Sequence, residues 1–202
     1  MIELPVDLPA ELVPLSWLIG VWEGSGVIDY KVGTKSITHE FGQRVSFSHD
    51  GMPHLNYTSY TWLFPDEPHG DPSPLAPETG YWRIERELGE GDVGPALLPA
   101  VGESRYGNAE SVETLRNSDG GFDIEVSLVH PGGVAELYLG QVKGPRIDLA
   151  TDAVMRTAGA KDYAAATRLY GLVEGHLLWA WDIAALGQDL RTHASARLAK
   201  VD

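Results

Sequence analysis

Residues 167–183 read TRLYGLVEGHLLWAWDI, and this stretch decides the fold. Two apolar runs flank Glu174-Gly175. In the second run, Leu177, Trp179, Trp181 and Ile183 fall on one side, while Leu178, Ala180, Asp182 and Ala184 fall on the other. A period of two on either side of a Gly-containing turn predicts a hairpin of two strands, Thr167–Val173 and His176–Ile183. The preceding AGAKDYAAA (158–166) has helix-forming composition, but the hairpin accounts better for the region. A last strand, His193–Val201, follows.

The same rhythm runs back towards the N-terminus. Arg146–Ala150 and Val134–Val142 are joined by the turn Lys143-Gly144-Pro145. Gly121–His130 and Glu110–Arg116 are joined across Asn117-Ser118-Asp119-Gly120. Tyr81–Leu88 alternates apolar and charged residues almost strictly, and His54–Phe64 is rich in aromatic and β-branched residues. Asp50-Gly51, a hairpin signal, separates it from Ile37–Ser48. Trp17–Tyr30 contains a Gly-punctuated apolar strand. About ten short strands and one or two helical turns, one at Pro9–Leu12 capped by Asp7, predict an all-β, antiparallel barrel. Closure leaves no exposed edge, and the mouth of such a barrel can hold one small ligand.

The 202 residues suit a single domain, 1–202, with residues 1–14 as a lead-in. Two Gly/Pro-rich stretches break the rhythm. Residues 65–80 (PDEPHGDPSPLAPETG) hold five of the 13 prolines, and residues 89–102 read GEGDVGPALLPAVG. Both are expected to be surface loops inserted between strands, either covering the barrel mouth or without a role.

Composition narrows the chemistry. A net charge of −14 argues against nucleic acid and against anionic membrane surfaces, which need clustered Lys and Arg. The absence of cysteine excludes disulfides, thiolate catalysis, iron–sulfur clusters and thiolate-ligated haem. MIELPVDLPAELVPL carries acidic residues where a signal peptide needs basic ones, so a cytoplasmic location is expected. No nucleophile elbow, phosphate loop or metalloprotease motif is present, and the carboxylates are scattered.

Gly20-Val21-Trp22-Glu23-Gly24-Ser25-Gly26 is not a dinucleotide fingerprint, because strand continues after it where that motif needs a helix. It reads as structural: Trp22 plugs one end of the barrel, and Gly20, Gly24 and Gly26 let the first strand bend and pass close to its neighbours. Three pieces, in the same order along the chain, resemble the nitrobindin family. They are PLSWLIGVWEGSG (14–26), Ala160-Lys161-Asp162 and GQDLRTHASARLAKV (187–201). The resemblance spans nearly the whole chain; the two Gly/Pro-rich stretches depart from the compact members.

The resemblance implies a lipocalin- or fatty-acid-binding-protein-like barrel holding haem b in the Fe(III) state, with His193 as axial ligand and catalytic residue. It also implies isomerisation of peroxynitrite to nitrate and binding of nitric oxide. His193 is chemically sensible, since without Cys the remaining haem ligands are His, Met and Tyr, and imidazole is the commonest metal ligand of these. Further cofactor-binding candidates are Lys161, as a propionate partner or a solvated turn residue, and the hydroxyls of Thr34 and Thr38. Trp179, Trp181 and Ile183 are either a porphyrin wall or ordinary core. Among the other histidines, His39 and His54 could face the pocket. His69 and His49 lie in or beside loops, His130 at a strand end, and His176 on the surface. A monomer or homodimer is expected, acting on a small molecule. The rival reading is a carrier of a fatty acid or other apolar ligand, since one barrel hosts many functions.

Overall fold

Glu174 and Gly175 both take positive φ, 51° and 76°, the sign pattern that a two-residue type I′ hairpin demands. They join β8 (Ala165–Val173) to β9 (His176–Ala184). In this computed structural model, which describes residues 7–32, 35–65, 70–184 and 191–201, the remaining strands are β1 (Gly20–Val32), β2 (Lys35–Ser48), β3 (Leu55–Leu63), β4 (Ser73–Ile84), β5 (Phe122–His130), β6 (Val134–Lys143), β7 (Arg146–Arg156) and β10 (Arg191–Lys200). All neighbours are antiparallel, and pairing of β1 with β10 closes the sheet into a ten-stranded barrel. Inward residues alternate along each strand; on β5, for example, Phe122, Ile124, Val126 and Leu128 are buried. Among the described residues, no helix is long and apolar enough to cross a membrane.

One barrel end is shut by a 3₁₀ helix, Ala10–Leu18. Three residues per turn stack Leu12, Leu15 and Leu18 on one side, and all three are fully buried. This helix is longer than the turn expected at Pro9–Leu12, and no side chain caps it, so Asp7 does not serve as its cap. It also takes Trp17 out of the first strand. Trp22 is buried at this end, its Nε1 donating to the Leu18 carbonyl at 2.7 Å. Glu11, on the same helix, accepts two hydrogen bonds from Arg86, at 2.5 and 2.9 Å. Arg86 also binds Asp92 through Nη1 and Nη2 at 2.8 and 2.7 Å. The buried triad ties residues 89–102, which contain no strand, to the closed end rather than to the mouth.

Three expectations from the sequence need correction. Glu110–Arg116 is not a strand: Ala109–Glu113 form a short helix, α1, because Asn108 Oδ1 accepts from the Ser111 amide at 2.9 Å and the Ser111 side chain returns a contact to the Asn108 amide. The span 65–80 is only partly loop, since β4 starts at Ser73 and contains Pro74 and Pro77. These prolines are tolerated because β4 pairs with β5 only from Thr79 onward, leaving the earlier residues bonded on one side to β3. Strand β7 runs on to Arg156, six residues beyond the expected Ala150, while residues 158–166 hold no helix, in keeping with the preferred hairpin reading.

The glycine motif marks the β1–β10 seam. A Cβ on Gly26 would lie 2.3 Å from the Ser195 carbonyl oxygen, 2.5 Å from Phe41 Cζ and 2.7 Å from Ala196 Cβ, while one on Gly24 would lie 2.3 Å from the Arg197 carbonyl oxygen. By contrast, Gly132 opens onto empty space. Gly26→Ala is expected to destabilise the barrel by about 1–3 kcal/mol through forced displacement of β10, whereas Gly132→Ala should stay within about 0.5 kcal/mol of the parent. Urea unfolding of both variants checks this, and equal stabilities would refute the close-approach account.

Candidate functional site

A strict period of two would turn His193 outward, because Ala194, Ala196 and Leu198 on the same strand are buried. The register breaks just here: Thr192 pairs with Asp182 and Ala194 with Trp181, so β10 carries one extra residue. Such a bulge re-aims a side chain. As a result His193 and Ala194 both line a cavity of about 470 Å³ at the barrel end away from the 3₁₀ helix. Trp181 packs against the imidazole in a T-shaped contact, with ring centres 5.9 Å apart at 86°, and Tyr30 lies 6.4 Å away.

The cavity has two unlike sides. On the β9–β10–β1–β2 side, Trp179, Trp181, Ile28 and Phe41 present an apolar surface. Trp179 is fixed by its Nε1 donating to Gln43 Oε1 at 2.7 Å, and Gln43 Nε2 in turn donates to Ser59 Oγ at 2.9 Å. On the other side stand Glu78, His130 and Arg168. This charged wall departs from a uniformly apolar pocket.

Arg168 is buried and donates to Glu78 through two nitrogens, at 2.8 and 2.9 Å, and to the Tyr138 hydroxyl at 3.1 Å. Its guanidinium lies 4.3 Å from the centre of the Trp181 ring. Behind it, Glu136 accepts from Tyr138 at 2.5 Å, from Tyr163, and from His130 Nε2 at 2.6 Å. Burial opposes the charge of both carboxylates. For Glu78, the charge and hydrogen bonds of Arg168, with Tyr57 and His130, more than offset burial and carry its pKa from 4.5 down to about 2. For Glu136, His130, Arg168 and the two phenols likewise leave the pKa lowered. Burial pushes Tyr163 up, helped by Tyr138 and Glu136.

The residues singled out from the sequence end up in different places. His193, Trp179 and Trp181 line the cavity, while Ile183 is half-buried against the core and does not. Thr38 is exposed on β2 opposite Asp29 and does not line it. Lys161 is exposed in the β7–β8 connection at the mouth end, and its carbonyl accepts from Arg156 at 3.2 Å. Thr34 and His69 lie outside the described residues. His39 stacks on Tyr30 at 6.1 Å, and His54 sits against Tyr81; neither lines the cavity. His130 does line it, although the sequence reading gave it only a strand-end position. Sequence reasoning also missed Glu78, Glu136 and Arg168. The last two had a signal: each shares the inward face of its strand with a Tyr two residues on, at Tyr138 and Tyr170. Among the described residues, no group of three or more His, Asp or Glu side chains could hold a bare metal ion.

The pKa of Glu78 is lower in the folded chain than unfolded, so its contribution is complete above about pH 4.5 and is lost as pH falls towards about 2. That contribution is on the order of 3 kcal/mol. Glu78→Gln leaves Arg168 buried without its full countercharge and should cost about 3–5 kcal/mol at neutral pH, with a flatter loss of stability below pH 4.5. Urea unfolding across this pH range tests both, and an unchanged acid limb would rule out Glu78 as its source.

Comparison with known proteins agrees with the barrel and its cavity. The profile of the "THAP4-like, heme-binding beta-barrel domain" matches residues 11–200. The chain is 69% identical over 202 residues to a protein named peroxynitrite isomerase from Leifsonia xyli subsp. xyli, covering all of both chains. It is 67% identical over 202 residues, again covering all of both, to one of the same name from Clavibacter michiganensis subsp. michiganensis. The crystal structure of Rv2717c from M. tuberculosis superposes with a TM-score of 0.66 at 26% identity, covering 99% of this chain and 100% of that one. By this match the chain belongs to the THAP4-like, haem-binding β-barrel family, the nitrobindin family that its glycine motif and tail resemble.

Proposed function

We propose that this chain binds haem b as Fe(III) through His193 and isomerises peroxynitrite to nitrate, with nitric oxide as a second ligand of the same centre. The observation that carries the reading is the bulge in β10, which turns one imidazole into a cavity walled by Ile28, Phe41, Trp179 and Trp181. A flat apolar macrocycle with an iron at its centre needs this combination of one nitrogen ligand and a broad aromatic surface. The names of the full-length relatives support the substrate.

When bound, the haem would supply the ferric chemistry for rearrangement of peroxynitrite to nitrate. The chain's own residues do the rest. His193 supplies the ligand nitrogen, and Trp181 restrains its ring. The aromatic side excludes water and keeps haems apart. In this reading Lys161, exposed at the mouth end, pairs with a haem propionate, and the hydroxyls of Thr34 and Thr38 approach the haem.

The carrier reading is less well supported. A fatty-acid head group held by charge inside the cavity would need an unpaired cation, and Arg168 is the only Arg or Lys lining the cavity among the described residues. Both of its Nη atoms are already given to Glu78. Displacing that carboxylate would strand it in the interior.

A hemin titration decides the matter. The wild-type protein should gain a Soret band and accelerate peroxynitrite decay, and His193→Ala should retain the fold by circular dichroism but lose stable hemin binding. An alanine variant with a full Soret band and unchanged hemin affinity would sink the ligand assignment. Wild-type protein that takes up a fluorescent fatty acid but no hemin would put the carrier reading in its place.

A further inference from the structure

The isomerase reading makes no use of a chain of oxidisable side chains that starts at His193 and enters the charged side of the barrel. The Trp181 indole touches His193 at one contact and meets Tyr163 at another, with ring centres 6.4 Å apart at 72°. The Tyr163 hydroxyl donates to Glu136 Oε1, which also accepts from Tyr138 at 2.5 Å. The two phenol oxygens lie 3.4 Å apart. Trp181 lines the cavity, while Glu136 stands behind it with a side chain that is 0% exposed.

We propose that Trp181 and Tyr163 are a built-in one-electron donor to radical oxidants released in the cavity, with Glu136 as acceptor of the phenol proton. The oxidant class is the nitrogen dioxide radical, which peroxynitrite yields when its O–O bond breaks without recombination. One electron leaves Tyr163 and passes through Trp181 to nitrogen dioxide, which becomes nitrite. The Tyr163 O–H bond breaks and its proton moves to the Glu136 carboxylate. The products are nitrite, a neutral Tyr163 phenoxyl radical and a protonated Glu136, so atoms and charge balance. The inference rests on the reading that peroxynitrite chemistry takes place in this cavity.

Two features of the geometry fix the roles. An oxidised phenol that kept its proton would be a buried cation, which a low-dielectric interior disfavours. The existing hydrogen bond to Glu136 lets the proton leave along a single bond, so the cation need not form. The second feature is the Arg168 guanidinium, 4.3 Å from the Trp181 ring centre. A positive charge over the ring stabilises the neutral indole and penalises its radical cation. Trp181 is therefore a relay, and the oxidising equivalent comes to rest on Tyr163.

The test has two arms. In the first, haem-free protein is exposed to nitrogen dioxide generated by pulse radiolysis, and the phenoxyl absorption is followed in wild-type, Tyr163→Phe and Trp181→Phe proteins. In the second, hemin-loaded protein is mixed with peroxynitrite, freeze-quenched for electron paramagnetic resonance, and mapped for nitrated tyrosine by mass spectrometry. The expected result is a tyrosyl signal that falls several-fold in Tyr163→Phe and forms several-fold more slowly in Trp181→Phe. Nitration should favour Tyr163 over Tyr60 and Tyr81, although those two are 46% and 57% exposed. Nitration confined to Tyr60 and Tyr81 in the wild-type protein, or a signal unchanged by Tyr163→Phe, overturns the proposal. The mapping needs no variant to fold. If hemin-loaded protein fails to speed peroxynitrite decay, the isomerase reading falls, and the haem-free arm still judges the donor by itself.

Discussion

In a closed barrel every side chain faces either the lumen or the solvent, and the parity of its position decides which. The extra residue between Thr192 and Ala194 is the one place on β10 where that parity is broken. Without it, either His193 would point outward or Ala194, Ala196 and Leu198 would leave the core. The bulge lets both sets face inward, so an imidazole at the mouth coexists with an apolar seam further down the same strand. That seam in turn relies on Gly24 and Gly26, whose missing side chains let β1 lie against β10 at the carbonyls of Arg197 and Ser195.

The charged side of the cavity is costly to assemble. Two carboxylates and a guanidinium are withdrawn from water, and such groups persist only when every lone pair and proton finds a partner. The phenols of Tyr57, Tyr138 and Tyr163 and the imidazole of His130 complete that set around Glu78 and Glu136. The consequence is rigidity, because Trp181 is held between Arg168 on its ring face and His193 at its edge. Any motion of the cluster is therefore felt at His193 through one indole.

Much of this fold was legible in the sequence, because alternation and turn chemistry act locally. The hairpin at Glu174-Gly175 and the turn at Gly144-Pro145 stand where their residues demand. What was not legible depends on partners distant in the chain. The prolines of residues 65–80 look like a loop until one sees that β4 is bonded there on one side only. The apolar 10–18 segment has the three-residue spacing of Leu12, Leu15 and Leu18, but only an open barrel end gives that spacing something to cover. Within the site, Trp179 and Trp181 followed from period two, whereas His193 came from the resemblance alone, since no pattern announces a bulge. Glu136 is one of many scattered carboxylates and Arg168 belongs to no motif, although their inward parity is as readable as that of Tyr138 and Tyr170.

The two ends of the barrel carry opposite demands, and the chain distributes its irregular segments accordingly. Residues 89–102 attach to the closed end, where Arg86, Glu11 and Asp92 hold them against the 3₁₀ helix. The β7–β8 connection falls at the mouth, the end on which His193 opens, as do the last residues of β3 and the first of β4. At that end β4 and β7 run past the pairing range of β5 and β8, and β1 and β2 pair past Ile28 and Phe41 only with each other, so the wall there is a set of separate hairpins rather than a continuous sheet. Deeper in, fully buried Trp82, Tyr57, Phe47 and Leu128 fill the lumen. A ligand is thus confined to the mouth, where one flank is aromatic and the other ionic. That suits a flat group with an apolar body and a polar rim better than it suits a long chain that must thread the core.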